Sequence, residues 1–388
     1  MNWIKRSRLF LLLLLVMVVC LAFAADGIAG RDGKQAKHVA VADISFLDMV
    51  TYPTGYEFAG TEVGGLSGIT YDRARDVYYI LSDDRSEIAP SRYYTVDIDV
   101  NQGQLDVDFL DVTFLRDKQG DLFEPFAIDP ESIELVRPGQ LFISTEGDGD
   151  TLPEATDPAI MRFNPNGRQT GALGVPDKFL YSVDDGNHVR DNLAFESMTV
   201  APNGHTLYVA TENALVNDGP ISTLDNGSPS RVLQYELPRR FPVKEFVYCV
   251  DPIPQAPIPP DAFADHGLVA MEALDDRGTL LTMERSFAVG VGNTILLFEA
   301  STQGATNVED ITALNLDGCP TGDIQPVSKE LLVDLEADLG IDPDNVEGMS
   351  FGPWLSANQR LLILVSDNNF NDSQTTQIIA LAVELVYE

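Results

Sequence analysis

The sequence predicts an all-β protein, a single β-propeller with five blades by repeat count and long inter-strand loops. Three observations predict it: one hairpin pattern recurs five times, further strand-like runs follow the copies, and helical periodicity is scarce. Each copy has a short acidic or small opening, an apolar strand, a turn, a second apolar strand and a polar, mostly acidic finish. The copies run from Gly65 to Asp84, Pro130 to Asp148, Ala194 to Asn213, Met271 to Ser286 and Val346 to Asn369. Their leading positions, Ser67, Glu131, Glu196, Glu272 and Glu347, lie 64, 65, 76 and 75 residues apart. That is long for one four-stranded blade, so loops are inserted, the acidic stretch Glu146 to Asp157 and the proline-rich "DPIPQAPIPP" (Asp251 to Pro260) being the obvious ones. The early run "VADISFLDMV" is expected to complete the last blade beside the final "QIIALAVELV". Six blades fit instead if one lacks the hairpin signature. The best helical signal is Ser328 to Gly340, where Leu331, Leu332, Leu335 and Leu339 share one face and Gly340 can end the helix.

The first residues read as an export signal. Lys5, Arg6 and Arg8 precede an apolar run from Leu9 to Val19 and the small-residue pattern Ala22-Phe23-Ala24, which places cleavage after Ala24. A lipid anchor at Cys20 is disfavoured by bulky Val19 before it, and an uncleaved anchor by the shortness of the run. The expected organisation is thus a signal over 1–24, a linker over 25–42 and a propeller over 43–388, in a periplasmic or extracellular protein. No later stretch is long or apolar enough to cross a membrane. Loss of the signal moves the formal charge from −35 to −38, since three bases and no acid leave with it. So acidic a chain repels nucleic acid backbones and anionic membranes. Cys249 and Cys319 remain in a compartment that permits a disulfide; their spacing leaves the pairing open. No cysteine and histidine cluster suits zinc.

Hairpin geometry gives the acids a common place. Residues equidistant from a turn face each other with Cβ atoms about 5 Å apart. On that rule Glu131 faces Glu146, Glu272 faces Glu284, Glu347 faces Asp367 and Ser67 faces Asp83. Glu196 faces Glu212 if the turn centres on Gly204, or Thr211 if it is a strict Asn203-Gly204 turn. With these as the two inner strands of each blade, the pairs form a carboxylate ring at one mouth of the channel. Packed negative charges raise one another's pKa or recruit a cation, and oxygen-only ligands suit calcium. The expected metal ligands are Glu131, Glu146, Glu212, Glu284 and Asp367, with Glu196, Glu347 and Asp83 as the carboxylates available for catalysis. The alternative is that these glutamates bond neighbouring backbone amides and knit the blades together. Arg85 and Arg285 follow acidic ends directly, placed either to clamp an anionic ligand, with Asn368 beside the last acid, or to pair with the neighbouring acids.

Other motifs carry less. "GMSFG" (Gly348 to Gly352) matches the G-x-S-x-G pattern of serine hydrolases, but Ser350 lies inside a strand instead of on a strand-to-helix elbow. His38, His188, His205 and His266 have no triad setting. The loop "EGDGDTLPEATD" alternates Asp and Gly but lacks the twelve-residue calcium pattern.

In "GGLSGITYD", "YILSDDR", "FESMTVAPNGHTLYVATEN", "TMERSF" with "GNTILLFEA", and "NVEGMSFGP" with "LVSDNNF", the chain resembles the phytase-like propeller family labelled "esterase-like activity of phytase". The resemblance runs from about Asp43 to the C-terminus. It implies a propeller, export and a hydrolase acting on phosphate or other small-molecule esters, with calcium as the implied cofactor. Carried onto this chain, it marks Ser67, Asp83, Asp84, Arg85, Glu131, Glu196, Glu212, Glu284, Arg285, Glu347, Asp367 and Asn368. The acid in "LVAMEALDD" is displaced from the pattern, and no basic cluster able to hold six phosphates is present, which argues against phytate itself. The leading reading is a calcium-assisted phosphate-ester hydrolase; the rivals are a non-catalytic binding propeller and a metal-dependent lactonase-type propeller.

Overall fold

The computed structural model describes residues 37–137, 139–149, 155–181 and 187–387. The expected signal at 1–24, Cys20 and most of the expected linker lie outside the described residues. The chain begins with β1 (Val39–Pro53), four residues ahead of the expected domain start, and a small hairpin of β2 (Glu57–Phe58) and β3 (Thr61–Glu62). Five four-stranded antiparallel sheets complete the structure. Blade one is β4 (Leu66–Asp72), β5 (Val77–Ser82), β6 (Arg92–Asn101) and β7 (Gln104–Phe114); blade two is β8 (Pro130–Arg137), β9 (Gln140–Thr145), β10 (Ala159–Phe163) and β11 (Gln169–Ala172). Blade three is β12 (Phe195–Val200), β13 (Thr206–Thr211), β14 (Ser228–Glu236) and β15 (Lys244–Val250); blade four is β16 (Ala264–Ala273), β17 (Thr279–Ala288), β18 (Gly292–Ser301) and β19 (Ser328–Asp334). Blade five is β20 (Asn345–Trp354), β21 (Gln359–Asp367) and β22 (Thr375–Tyr387), with β1 as its outer strand, paired to β22 from Val39↔Tyr387 to Pro53↔Thr375. The count is five, and the ring is closed by the two ends of the chain as expected.

Each blade face packs on the next, so the middle strands are buried on both sides and read as continuous apolar runs, such as "LLILV" in β21. Five interblade cores follow. Tyr79 and Leu81 meet Ile133 and Ile143; Phe142 and Ile160 meet Val209 and Leu233; Tyr208 and Val232 meet Leu268 and Leu280. Leu281 and Leu297 meet Leu362 and Leu381, and Ile363 and Ile378 meet Ile80 and Tyr94. The outer strands alternate instead. In β7 the exposed positions carry Asp106 and Asp111, and in β1 Asp43, charges that discourage edge-to-edge pairing with another molecule.

The first strand of every blade lines the axis, β4 against β8, β8 against β12, β12 against β16, β16 against β20 and β20 against β4. Side chains stitch these strands across the blade boundaries. Thr70 Oγ1 accepts the Leu135 amide (3.1 Å), Glu134 Oε1 that of Val200 (3.0 Å), Thr199 Oγ1 that of Ala273 (3.0 Å) and Glu272 Oε1 that of Phe351 (3.2 Å). Glu272 therefore knits blades four and five together and does not reach the mouth. In β17 its neighbour is Leu281, and Glu284 faces Leu268, so the expected Glu272–Glu284 pair is absent.

The segment expected to be helical forms β19. Pairing with β18 satisfies its amides and buries Val333, leaving Leu331 52% exposed; sheet context overrides the local period. Only the end of that segment turns helically, capped by Asp334 Oδ1 on the amides of Glu336 and Ala337 (2.9 and 3.0 Å) and ended by Gly340 at φ +67°. Cys249 and Cys319 form a disulfide with Cα atoms 5.6 Å apart. Among the described residues no helix is long and apolar enough to cross a membrane.

Close approach of the inner strands depends on Gly68, where an added Cβ would meet Glu131 O, Ile133 N and Ser132 Cα at 2.8, 2.9 and 3.0 Å, all parts of the adjacent strand's backbone. Gly68→Ala is expected to cost about 1–3 kcal/mol, read as a lower denaturant midpoint with an unchanged slope.

Candidate functional site

The paired acids do not face each other as simple hairpins would have them. In every blade the first strand carries a bulge at the same place: between Leu66 and Gly68, Pro130 and Ile133, Phe195 and Ser197, Leu268 and Ala270, and Val346 and Gly348. Blade three adopts the strict Asn203-Gly204 register, and the bulge is added at Glu196. A bulge re-aims its extra residue, and the bulged positions are Ser67, Glu131, Glu196, Val269 and Glu347. The equivalent positions on the second strands are Asp83, Glu146, Glu212, Arg285 and Asp367, the first three just beyond the paired part. Opposite them stand Gly65, Asp129, Ala194, Gly267 and Asn345, shown by the amides of Asp83, Glu146 and Glu212 bonding Gly65 O, Asp129 O and Ala194 O, and by the pairs Gly267↔Arg285 and Asn345↔Asp367.

Most of these positions, though not Ser67, Val269 or the small residues Gly65, Ala194 and Gly267, line one cavity of about 950 Å³. It gathers Asp83, Glu131, Glu146, Glu196, Glu212, Glu347 and Asp367, as expected, together with Asp129, Asp265 and Asn345, which the sequence reading missed. Asp129 and Asn345 were findable: each sits two residues before a bulged glutamate. Arg85 and Arg285 are the only basic residues among the described lining.

Two expected residues are elsewhere. Glu284 lies one residue short of the ring, fully buried, where it accepts from Tyr248 Oη (2.9 Å), the Asp251 amide (3.0 Å), His266 Nε2 (2.8 Å) and Lys329. These partners hold its carboxyl below the usual range, His266 foremost. Asn368 is buried as a turn former: its Oδ1 accepts the amides of Gly65 and Phe370, both at 3.1 Å, and its Nδ2 donates to Thr54 (2.9 Å). Asp84 is likewise structural, paired with buried Arg92 at 2.7 Å.

Blade four is the odd one. Where the others offer a carboxylate it offers Arg285, whose Nη1 lies 2.9 Å from Asp265 and whose Nη2 lies 3.3 Å from Glu347 and 3.6 Å from Glu212. Gly267 makes room for this: a Cβ there would meet Glu212 Oε1 at 2.1 Å. Arg85 pairs with Asp129 at 2.8 Å and donates to Asn192 Oδ1, also at 2.8 Å. Asn345 Nδ2 bridges Glu347 (3.0 Å) and Asp367 (3.2 Å).

Two arginines leave the acids under-compensated. Burial raises the carboxyl pKa of Asp83, Glu131, Glu146 and Glu196 well above the ordinary range, and neighbouring acids push the same way. Burial likewise raises Asp367 and Glu212 to about 8, the latter against the pull of Arg285, and Asp129 to about 6. Among the described residues no donor is hydrogen-bonded to the carboxylate of Asp83 or Glu196. Two groups can close on a cation, Asp83 with Glu347 and Asp367, and Asp129 with Glu131 and Glu146; within each, one oxygen per residue lies within 4.8 Å of the others. The donors are all oxygen, which fits a hard divalent cation and not zinc.

Residues 61–370 match the Phytase-like family model, described as esterase-like activity of phytase. The chain belongs to this family. The propeller is thus of a hydrolase-type family. No curated protein matches the sequence. Among solved structures, the Dos1 propeller is similar at 9% identity and TM-score 0.32, over 88% of this chain and 78% of that one. The periplasmic gluconolactonase PpgL of Pseudomonas aeruginosa is similar at 12% identity and TM-score 0.35, over 84% and 89%.

Carboxyls with raised pKa bind protons that the unfolded chain has released, so cation-free protein loses stability as pH rises. The window opens near the ordinary Asp value of 3.8 and runs through about 8, where Asp367 and Glu212 ionise. Thermal midpoints measured in chelator are expected to fall between pH 5 and 8, and calcium is expected to flatten that fall.

Proposed function

We propose that the protein is an exported hydrolase of phosphate esters that works with calcium at the acidic mouth. The observation that carries this reading is the pair of three-carboxylate groups set beside Arg285 in one cavity. Asp83, Glu347 and Asp367, with Asp129, Glu131 and Glu146, are the residues that would hold the cation. Bound there, calcium supplies neutralisation of the acids, polarisation of the ester and a lower pKa for water in the site. Arg285, which lines the cavity, offers a positive charge to the phosphate of the substrate. Arg85, at the other side of Asp129, offers a second positive charge. Glu196, free of hydrogen-bonded donors, is the group placed to take a proton from attacking water. Glu212 and Asp265 fix the guanidinium of Arg285 from two sides. Export is supported by the Cys249–Cys319 disulfide, a bond suited to oxidising compartments, and by the N-terminal sequence pattern.

Calcium-dependent release of phosphate from simple monoesters is the test. Chelation is expected to abolish turnover, and Glu196→Gln to lower kcat about 10²–10⁴-fold. Glu284→Gln is expected to reduce stability while turnover per folded molecule persists. Turnover that ignores calcium, or survives Glu196→Gln with Glu347→Gln, overturns the mechanism; calcium binding with no hydrolysis points to a binding propeller, and cleavage of carboxyl esters or lactones alone to a different ester class.

A further inference from the structure

Phe263, just after the proline-rich insertion, and the turn between β17 and β18 build one wall of the mouth. Ile258 N donates to Val289 O (2.7 Å) and Val289 N to Phe263 O (3.0 Å), laying the segment along the turn that joins β17 to β18. Gly290, at φ +76°, admits this contact, because a Cβ there would meet Ile258 O at 2.6 Å. Phe263 ends up 63% exposed, with its ring 6.4 Å from that of Phe287, and Val291 is 38% exposed. All three line the same cavity as the acids. Phe287 stands two residues after Arg285, and its amide is held by Asp265 Oδ1 (3.0 Å), the carboxylate that also grips Arg285.

An apolar shelf therefore adjoins the guanidinium in a cavity otherwise lined mainly by acids and amides. None of it is needed for the interblade cores, since Phe263, Phe287 and Val291 belong to none of them. Exposed aromatic surface beside converging polar groups is the composition of a ligand site, where the ring supplies contact area and the charge fixes orientation.

We infer that the ester taken by this site is amphiphilic: a single anionic phosphate directed to Arg285 and the calcium ligands, carrying an aryl or aralkyl group that rests on Phe263, Phe287 and Val291. This deepens the hydrolase reading and rests on it for the position of the phosphate. A polyphosphorylated sugar has no apolar face to offer the shelf.

Benzyl- and methylphosphonate carry the same charge and cannot be hydrolysed, so calorimetric binding in calcium isolates the shelf from the chemistry. The full-length protein is expected to bind the benzyl compound about tenfold more tightly, and Phe263→Ala to bring the benzyl-to-methyl ratio near one, with an unchanged thermal midpoint confirming its fold. Benzyl and methyl phosphate, with similar leaving groups, are expected to show the same ratio in kcat/KM. Equal affinities in the wild type, no binding of either phosphonate, or a preference that survives Phe263→Ala overturns the inference. A benzyl preference lost in Phe263→Ala without any turnover of either phosphate supports the shelf and overturns hydrolysis.

Discussion

The structure depends on five strands sharing one axis. Each inner strand bonds to its own blade along one edge, and its other edge meets the neighbouring blade, where no ladder continues. The amides left there must find acceptors, because an unpaired buried N–H costs as much as a lost hydrogen bond. Thr70, Glu134, Thr199 and Glu272 supply them, each reaching one blade onward. Three residues earlier on the same strands stand Ser67, Glu131, Glu196 and Val269, and the fifth strand carries Glu347 at the equivalent bulge. One set of side chains satisfies the backbone while Glu131, Glu196 and Glu347 are released to the mouth, and the bulges in the strands let both exist.

This division explains what could be read in advance. Repeat spacing, the number of blades and the convergence of Glu131, Glu196, Glu347 and Asp83 followed from strand pattern and turn residues, as did closure of the last blade by the N-terminal run. A bulge leaves no mark in composition, so the facing partners came out displaced: Asn345, not Glu347, stands across from Asp367. Glu272 and Glu284 misled for the same reason. They looked like the acids of blade four, yet the position homologous to the other acids holds Val269 on one strand and Arg285 on the other. The stretch from Ser328 had a helical period because Leu331, Leu332 and Leu335 recur at suitable spacing, a pattern a short edge strand can also bear when one leucine is left to solvent.

Replacing a carboxylate by Arg285 breaks the symmetry of the mouth electrostatically. Glu212 and Glu347 are drawn to it, while Asp83 with Asp367, and Glu131 with Glu196, are left facing their own kind. A ring with five acids would repel a phosphate from every side. With Arg285 it gains a direction. The aromatic wall adjoins that same blade, so on our proposal an anionic ester is recognised there and charge is neutralised at the groups of acids.

The pairing of β1 with β22 also orders events at the ribosome and beyond. β1 must wait, unpartnered, until β22 has emerged, so the ring of blades cannot close vectorially. A chain that crosses a membrane before folding meets no conflict with this requirement, since both ends arrive in the same compartment before the circle is sealed. Truncation at either end would leave a raw edge on the fifth sheet, open to capture by another molecule's strand.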